Sequence, residues 1–374
     1  MLFRNSILLC VLAAFSSGCL NPYPFKSVRF REEKPTATLV WRLDLSERQP
    51  AKISAIALFA DGDRIAIGFD DGRAEIWDID SRTHLATYQD DSTGISVLKV
   101  APDDRSLFSV SSPDMEVVTD EWQKLQMTVR LRDLETMTLI ATVQEGIGLP
   151  CDTFTFSHDG SLVATAGYGK VGNGFGRAFV LRDAKTLREI FSSGRDLSRD
   201  NREQPSSAFF LSGNRLLVTG QLWQIADGTC TVVEEYPDQP DALDETGGKG
   251  FYCEYGNGLM LSDSFAIPMR APGIAVSSLD RRKTYAYLRA KPWRNFHAVD
   301  YLPPVSAHQN GRLLALSNAA ETGYDIVILN LATHRYQVLP LPEPTMATKR
   351  WALTDDRRRV AFFGQNTVDI WQLD

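Results

Sequence analysis

Ile53-Ser-Ala-Ile-Ala-Leu-Phe-Ala-Asp-Gly-Asp-Arg-Ile-Ala-Ile-Gly-Phe-Asp-Asp-Gly-Arg-Ala-Glu-Ile-Trp-Asp-Ile79 reads as three β-strands joined by two tight turns. Ile53–Phe59 is poor in charge and suits a crowded interior. Asp61-Gly62 and Asp70-Asp-Gly72 supply turn chemistry, and Arg64–Phe69 and Ala74–Ile79 are rich in β-formers. His84–Tyr88 completes a four-stranded unit. The first turn recurs along the chain. Its copies are Phe59–Ile67, Ala101–Phe108, Phe156–Ala164, Leu211–Val218, Leu279–Ala286, His308–Ala315 and Thr354–Ala361. Hairpins recurring at roughly 40–50 residues predict an all-β chain folded as a β-propeller, one four-stranded antiparallel blade per repeat. Seven turns give seven blades. Thr231–Arg270 leaves eight as the alternative, because Phe251–Leu261 also reads strand–turn–strand.

The last repeat shows only three strands, Arg350–Leu353, Val360–Phe363 and Val368–Leu373. Thr38-Leu-Val-Trp-Arg-Leu-Asp-Leu45 is a spare strand ahead of the first blade, and pairing it with the last would close the ring and remove both edges. A second recurrence, Asp/Asn-x-x-Thr, joins third and fourth strands at Asp80–Thr83, Asp133–Thr136, Asp183–Thr186 and Asn330–Thr333. Here Asp or Asn accepts from turn N–H groups and Thr opens the next strand.

The unit containing Phe59-Ala-Asp-Gly62, Asp71-Gly72 and Ile76-Trp77-Asp78 resembles a WD40 repeat, with weaker copies at Phe156–Gly160, Leu181–Asp183 and Val368–Trp371. The resemblance covers most of 38–374 and extends to the wider WD40-like or YVTN-like propellers. No Gly-His dipeptide opens a blade and only one full Trp-Asp is present, so the family's buried Asp-His-Ser/Thr-Trp network is not expected.

Arg4, the apolar run Ile7–Phe15 and the small residues Ser16-Ser-Gly ahead of Cys19 resemble a bacterial lipoprotein signal peptide. The resemblance implies removal of 1–18, a lipid on Cys19 and a tether over 19–36, with the propeller over 37–374. An ordinary secretory signal cut nearby is the other reading. Leu20 in place of Asp after the cysteine implies the bacterial envelope, the outer membrane facing the periplasm if the source is diderm. No later apolar run is long enough to cross a bilayer, so membrane contact is expected through the lipid alone.

The chain has 374 residues, 43% hydrophobic, with net charge −7. No basic stripe stands out, so nucleic-acid binding is not expected, and a monomeric propeller is. Cys230 and Cys253 flank the least repetitive stretch. In an exported chain they are a candidate disulfide closing a loop of about 24 residues, with about 3 kcal/mol of stabilisation. Cys151 opens an alternating strand and is expected to be a buried small hydrophobe.

No catalytic, cofactor or metal constellation stands out. The five histidines have no ligand spacing, and Gly-x-Ser-x-Gly and His-Glu-x-x-His are missing. The recurring aspartates belong to turns. Gly167–Gly176 holds a Gly-x-Gly-x-x-Gly spacing but lies between strands, which predicts a flexible hairpin loop, not a phosphate cradle. The informative departures are enlarged loops between second and third strands: Ser111–Gln123, Gly167–Gly176, Lys291–Arg294 and Asn318–Asp325. Equivalent loops share one face of a propeller. Met115, Trp122, Tyr168, Phe175, Trp293, Arg294 and Tyr324 are the residue types that anchor protein interfaces, and form the candidate partner-binding set. The expected role, carried by the lipobox-like end, the tether, the enlarged loops and the missing catalytic signature, is a protein-interaction or assembly scaffold. An enzyme or small-ligand protein using the central channel is the alternative. It predicts carboxylates converging on the axis.

Overall fold

The two acidic turns of the first repeat fold the chain back as expected. Gly62 and Gly72 take left-handed backbone angles, φ 77° and 82°, which glycine adopts without a Cβ penalty. Ile53–Leu58, Arg64–Phe69, Arg73–Asp78 and Thr83–Gln89 then pair antiparallel in chain order. The computed structural model describes residues 27–29, 31–32, 34, 37–47, 51–89, 94–111, 127–145, 153–157, 159–171, 174–193, 208–211, 213–218, 221–235, 242–243, 249–254, 260–262, 265–267, 273–278, 284–289, 295–302, 312–320, 323–330, 335–339, 351–353 and 358–373.

Every regular element described is a strand. The second sheet runs Ile95–Val100, Ser106–Ser111, Met127–Asp133, Leu139–Glu145. The third runs Thr153–Phe156, Leu162–Val171, Gly174–Asp183, Glu189–Ser192, and the fourth Ala208–Leu211, Arg215–Val218, Gln221–Ala226, Thr229–Glu235. The fifth joins Ala242–Leu243, Lys249–Glu254, Gly273–Ser278 and Thr284–Arg289, with Ser27–Arg29 added in parallel. The sixth holds Asn295–Leu302, Arg312–Ala320, Gly323–Asn330 and Arg335–Leu339, with Arg31–Glu32 added in parallel. The seventh comprises Trp351–Leu353, Arg359–Phe363, Thr367–Gln372 and, antiparallel to the last, Thr38–Asp44. Met260–Ser262 and Phe265–Ile267 form a separate ribbon. The fold is an all-β propeller.

Alternation along each strand sends side chains to the two neighbouring sheets in turn. Ile65, Ile67 and Phe69 pack with Trp41, Leu43, Phe363 and Ile370 of the seventh sheet. Ala66, Ala74 and Ile76 meet Ile95, Leu98 and Leu107 of the second. Phe108, Val110 and Val129 meet Phe154 and Val163 of the third. Ala166, Phe179 and Leu181 meet Phe210, Leu216 and Trp223 of the fourth. Full burial of side chains such as Phe59, Ile65 or Phe179 contributes about 1.5–3 kcal/mol each. Gly68 allows the first and second sheets to approach. A Cβ there would lie 2.9 Å from Ile95 Cγ2 and 3.0 Å from Leu98 Cδ1.

Four expectations change. Gly167–Gly176 is not a loop: the ladder continues unbroken from Leu162↔Asp183 to Val171↔Gly174, because its alternation keeps period two to the tip. Lys291–Arg294 does not join second and third strands. It connects Thr284–Arg289 of the fifth sheet to Asn295–Leu302, the first strand of the sixth. The turn carboxylate of the first repeat is Asp78, not Asp80. Asp78 Oδ1 accepts from Ser81 N and Oγ, as Asp133 does from Thr136 and Asp183 from Thr186. Four residues after each, Arg82, Met137 and Leu187 share the same left-handed angle. Lastly, part of the expected tether pairs with the fifth and sixth sheets.

Candidate functional site

The second-to-third hairpins stand on rigid roots. In the second sheet, Ser111 is 2% exposed and accepts a 2.8 Å bond from Arg130 Nη1, itself buried. Ser111 pairs with Ile95 on one side and Thr128 on the other, so the segment 112–126 leaves from a fixed point. In the third sheet, Phe179 N donates to Ser193 Oγ and Ser193 N to Phe179 O, both at 3.0 Å. Above that clamp the sheet narrows. Among the described residues, the first strand's pairing ends at Ala166 and the fourth strand's at Val180, while the two middle strands run on for five more pairs. At about 3.4 Å per residue, residues 167–178 form a two-stranded arm about 17 Å long.

Register sets the arm's chemistry. Tyr168 stands opposite Arg177 and Lys170 opposite Phe175, and all four share one face by the two-residue period. The other face carries Gly167, Gly169, Val171, Gly174, Gly176 and Ala178. Ala166 and Phe179, the last pair below the arm, pack toward the fourth sheet.

The sixth sheet repeats the motif at smaller scale. Its middle strands pair up to Ala320↔Gly323, which places Tyr324 at the tip. Asn295, where the first strand of that sheet begins, pairs with Asn318 near the same tip. Tyr168, Phe175 and Tyr324 therefore sit on strands at hairpin ends. Met115, Trp122, Trp293 and Arg294 lie outside the described residues, as do Cys19 and Cys151.

At the opposite end, the repeated turns do more than local work. Asp104 occupies the left-handed position that Gly62 and Gly160 fill elsewhere, at φ 57°. Its carboxylate reaches the first sheet and accepts from Ala60 N at 2.7 Å and Asp61 N at 3.2 Å. Burial pushes its pKa up, against the pull of those two N–H groups. Arg359 of the seventh sheet donates to Gly62 O at 2.6 Å and to Asp80 at 3.2 Å. These turns pin neighbouring sheets to one another. Sequence reading assigned them to local backbone chemistry, because an inter-sheet partner leaves no trace in spacing.

Trp77, the tryptophan of the one Trp-Asp pair, donates its indole N–H to Glu75 at 2.9 Å, and Arg73 pairs with the same buried Glu75. Arg73 also lies 4.0 Å over the Phe69 ring. Arg132 and Arg182 take the place of Trp77 in the next two sheets and donate across the turn to Met137 O and Leu187 O. Among the described residues, no group of three or more His, Cys, Asp or Glu is placed to hold a metal. No helix among them is long and apolar enough to cross a membrane. Cys230 is a free, buried thiol packed with the third and fourth sheets, and burial raises its pKa to about 11. Cys253 lies on Lys249–Glu254 in the fifth sheet.

No known family profile matches the chain, and no curated protein matches it. Solved structures do. The Neurospora crassa Pan2 WD40 domain superposes with a TM-score of 0.58 at 12% identity, covering 91% of this chain and 97% of that one. U3-55K superposes with a TM-score of 0.55 at 10% identity, covering 89% and 98%. At such identities the likeness is one of fold.

Proposed function

We propose that this chain is a lipid-anchored, extracytoplasmic, seven-bladed propeller, closed by the pairing of Thr38–Asp44 with Thr367–Gln372, that serves as a protein-interaction or assembly scaffold. The anchor is Cys19 and the place is the bacterial envelope. The observation that carries the scaffold reading is the arm 167–178. Among the described residues it extends past the pairing of its sheet's outer strands, and its register puts two aromatic and two cationic positions on one face, the composition of interface hot spots. The segment 112–126 springs from the neighbouring sheet at the same end. It contributes Asp114, Glu116, Asp120 and Glu121 against one lysine, with Met115 and Trp122 between them.

The test is affinity capture of the membrane-extracted protein after cross-linking, alongside two variants, one lacking 112–126 and the other Tyr168→Ala/Phe175→Ala. Loss of the same partner from both is expected. An unchanged partner set in both variants would remove this face from the function.

A further inference from the structure

We infer that the strands Ser27–Arg29, Arg31–Glu32 and Thr38–Asp44 act as a clasp on the outer edges of three successive sheets, and that it turns the rim at the fifth sheet toward an anionic lipid surface. The second half rests on the anchor reading above. The clasp itself does not. Ser27–Arg29 runs parallel to Thr284–Arg289 in the register Val28↔Leu288. Arg31–Glu32 runs parallel to Arg335–Leu339, with Arg31↔Arg335. Thr38–Asp44 then pairs antiparallel with Thr367–Gln372. Side chains fasten two of the three steps. Tyr336, 4% exposed, donates its hydroxyl to Glu32 at 3.2 Å. Arg42 forks onto the fully buried Asp369 with two bonds of 2.6 Å.

The consequence is geometric. A free tether over 20–36 would reach about 55 Å, but a chain fixed at Ser27 leaves only the eight positions from Cys19, about 28 Å at full extension. A lipid on Cys19 therefore holds the fifth sheet's edge near the bilayer, leaving the disc on its rim. The charge agrees. Residues 20–36 hold Lys26, Arg29, Arg31 and Lys34 against Glu32 and Glu33, in a chain of net charge −7. Arg31 and Lys34 are exposed. Basic residues near a membrane surface are drawn to anionic headgroups.

The clasp is tested by cysteine pairs at register partners, Val28→Cys/Leu288→Cys and Arg31→Cys/Arg335→Cys, in the full chain. Paired strands lie about 4.8 Å apart, within disulfide reach. Oxidation should join both pairs, mapped by mass spectrometry, and should not join Val28→Cys to Leu139→Cys on the second sheet. Failure of both register pairs in folded protein would overturn the clasp. Orientation is read in phosphatidylcholine vesicles with and without phosphatidylglycerol, using a dye at Arg335→Cys or at Leu139→Cys and a headgroup quencher. Quenching several-fold stronger at 335, and more so with phosphatidylglycerol, is expected. Equal quenching at the two sites would overturn the lipid-facing rim. Mass spectrometry of Cys19 separates the two readings. An unacylated Cys19 sinks the anchor alone, and a maleimide lipid coupled there still reports the orientation.

Discussion

Asp104 shows how one residue trades backbone strain for a bond between sheets. A left-handed non-glycine residue costs about 1–2 kcal/mol, and Asp104 bears it where Gly62 and Gly160 do not. Its return is two N–H groups of the first sheet held by a carboxylate. Asp104→Asn tolerates that angle but keeps one acceptor oxygen of two, so it should hold one of the bonds and cost about 0.5–1.5 kcal/mol. Asp104→Ala keeps the strain and loses both bonds, costing about 1–3 kcal/mol. Asp104→Gly should fall between them. Urea denaturation checks the order, and Gly standing above the aspartate by the whole strain of about 1–2 kcal/mol would show that the bonds contribute nothing.

Asp159, at the matching turn of the third sheet, makes only local bonds. The Ser157 hydroxyl, then the N–H and hydroxyl of Ser161, hold its pKa at about 2 against the usual 3.8. A carboxylate depressed by folding contributes stability that is complete above its unfolded pKa and is lost as pH falls through the folded value. The window is therefore about pH 5 down to about pH 2. Asp159→Asn should weaken the fold at neutral pH and flatten the stability loss across that window. An unchanged acid-unfolding curve would count against it.

Among the elements, the pairing of Thr38–Asp44 with Thr367–Gln372 holds an N-terminal strand to a C-terminal one, and its ion pair is lopsided. Asp369 is wholly buried while the Arg42 side chain is 52% exposed. Removing the arginine strands a buried carboxylate. Removing the acid leaves a guanidinium that water reaches. Arg42→Leu should therefore cost about 2–4 kcal/mol and Asp369→Asn clearly less. Equal losses in chemical denaturation would mean that the carboxylate has other adequate partners. The strands themselves were legible beforehand. Turn residues and two-residue alternation are local, so Arg64–Phe69 and Thr38–Asp44 could be read before any partner was known. By sequence the arm 167–178 reads as a loop, because its five glycines outweigh the alternation of Tyr168, Lys170, Phe175 and Arg177. Glycine there thins one face of a hairpin without ending it.

For the whole molecule, sheet packing sets the chemistry of single groups far from any turn. Cys230 is pressed between the third and fourth sheets with Ala166, Phe210 and Trp223, and its thiol pKa is pushed up to about 11. In the folded protein it should resist iodoacetamide at pH 8, because the thiolate is the nucleophile. In denaturant without reductant it should alkylate at once. A thiol that reacts only after reduction would instead reveal a bond to Cys253 and a different fourth sheet.

The repeat, most of its strands, the turn aspartates Asp133 and Asp183 and the spare strand ahead of the first blade could be read from the residues alone, because each depends on neighbours within a few positions. Only the tertiary structure decided which turns reach across to the next sheet and which sheet the connection 291–294 enters. It also decided that residues 27–32 lie along two outer edges instead of hanging free. Those outcomes depend on which edges and faces come together once the sheets pack, and residues such as Tyr336 and Glu32 stand 304 positions apart in the chain.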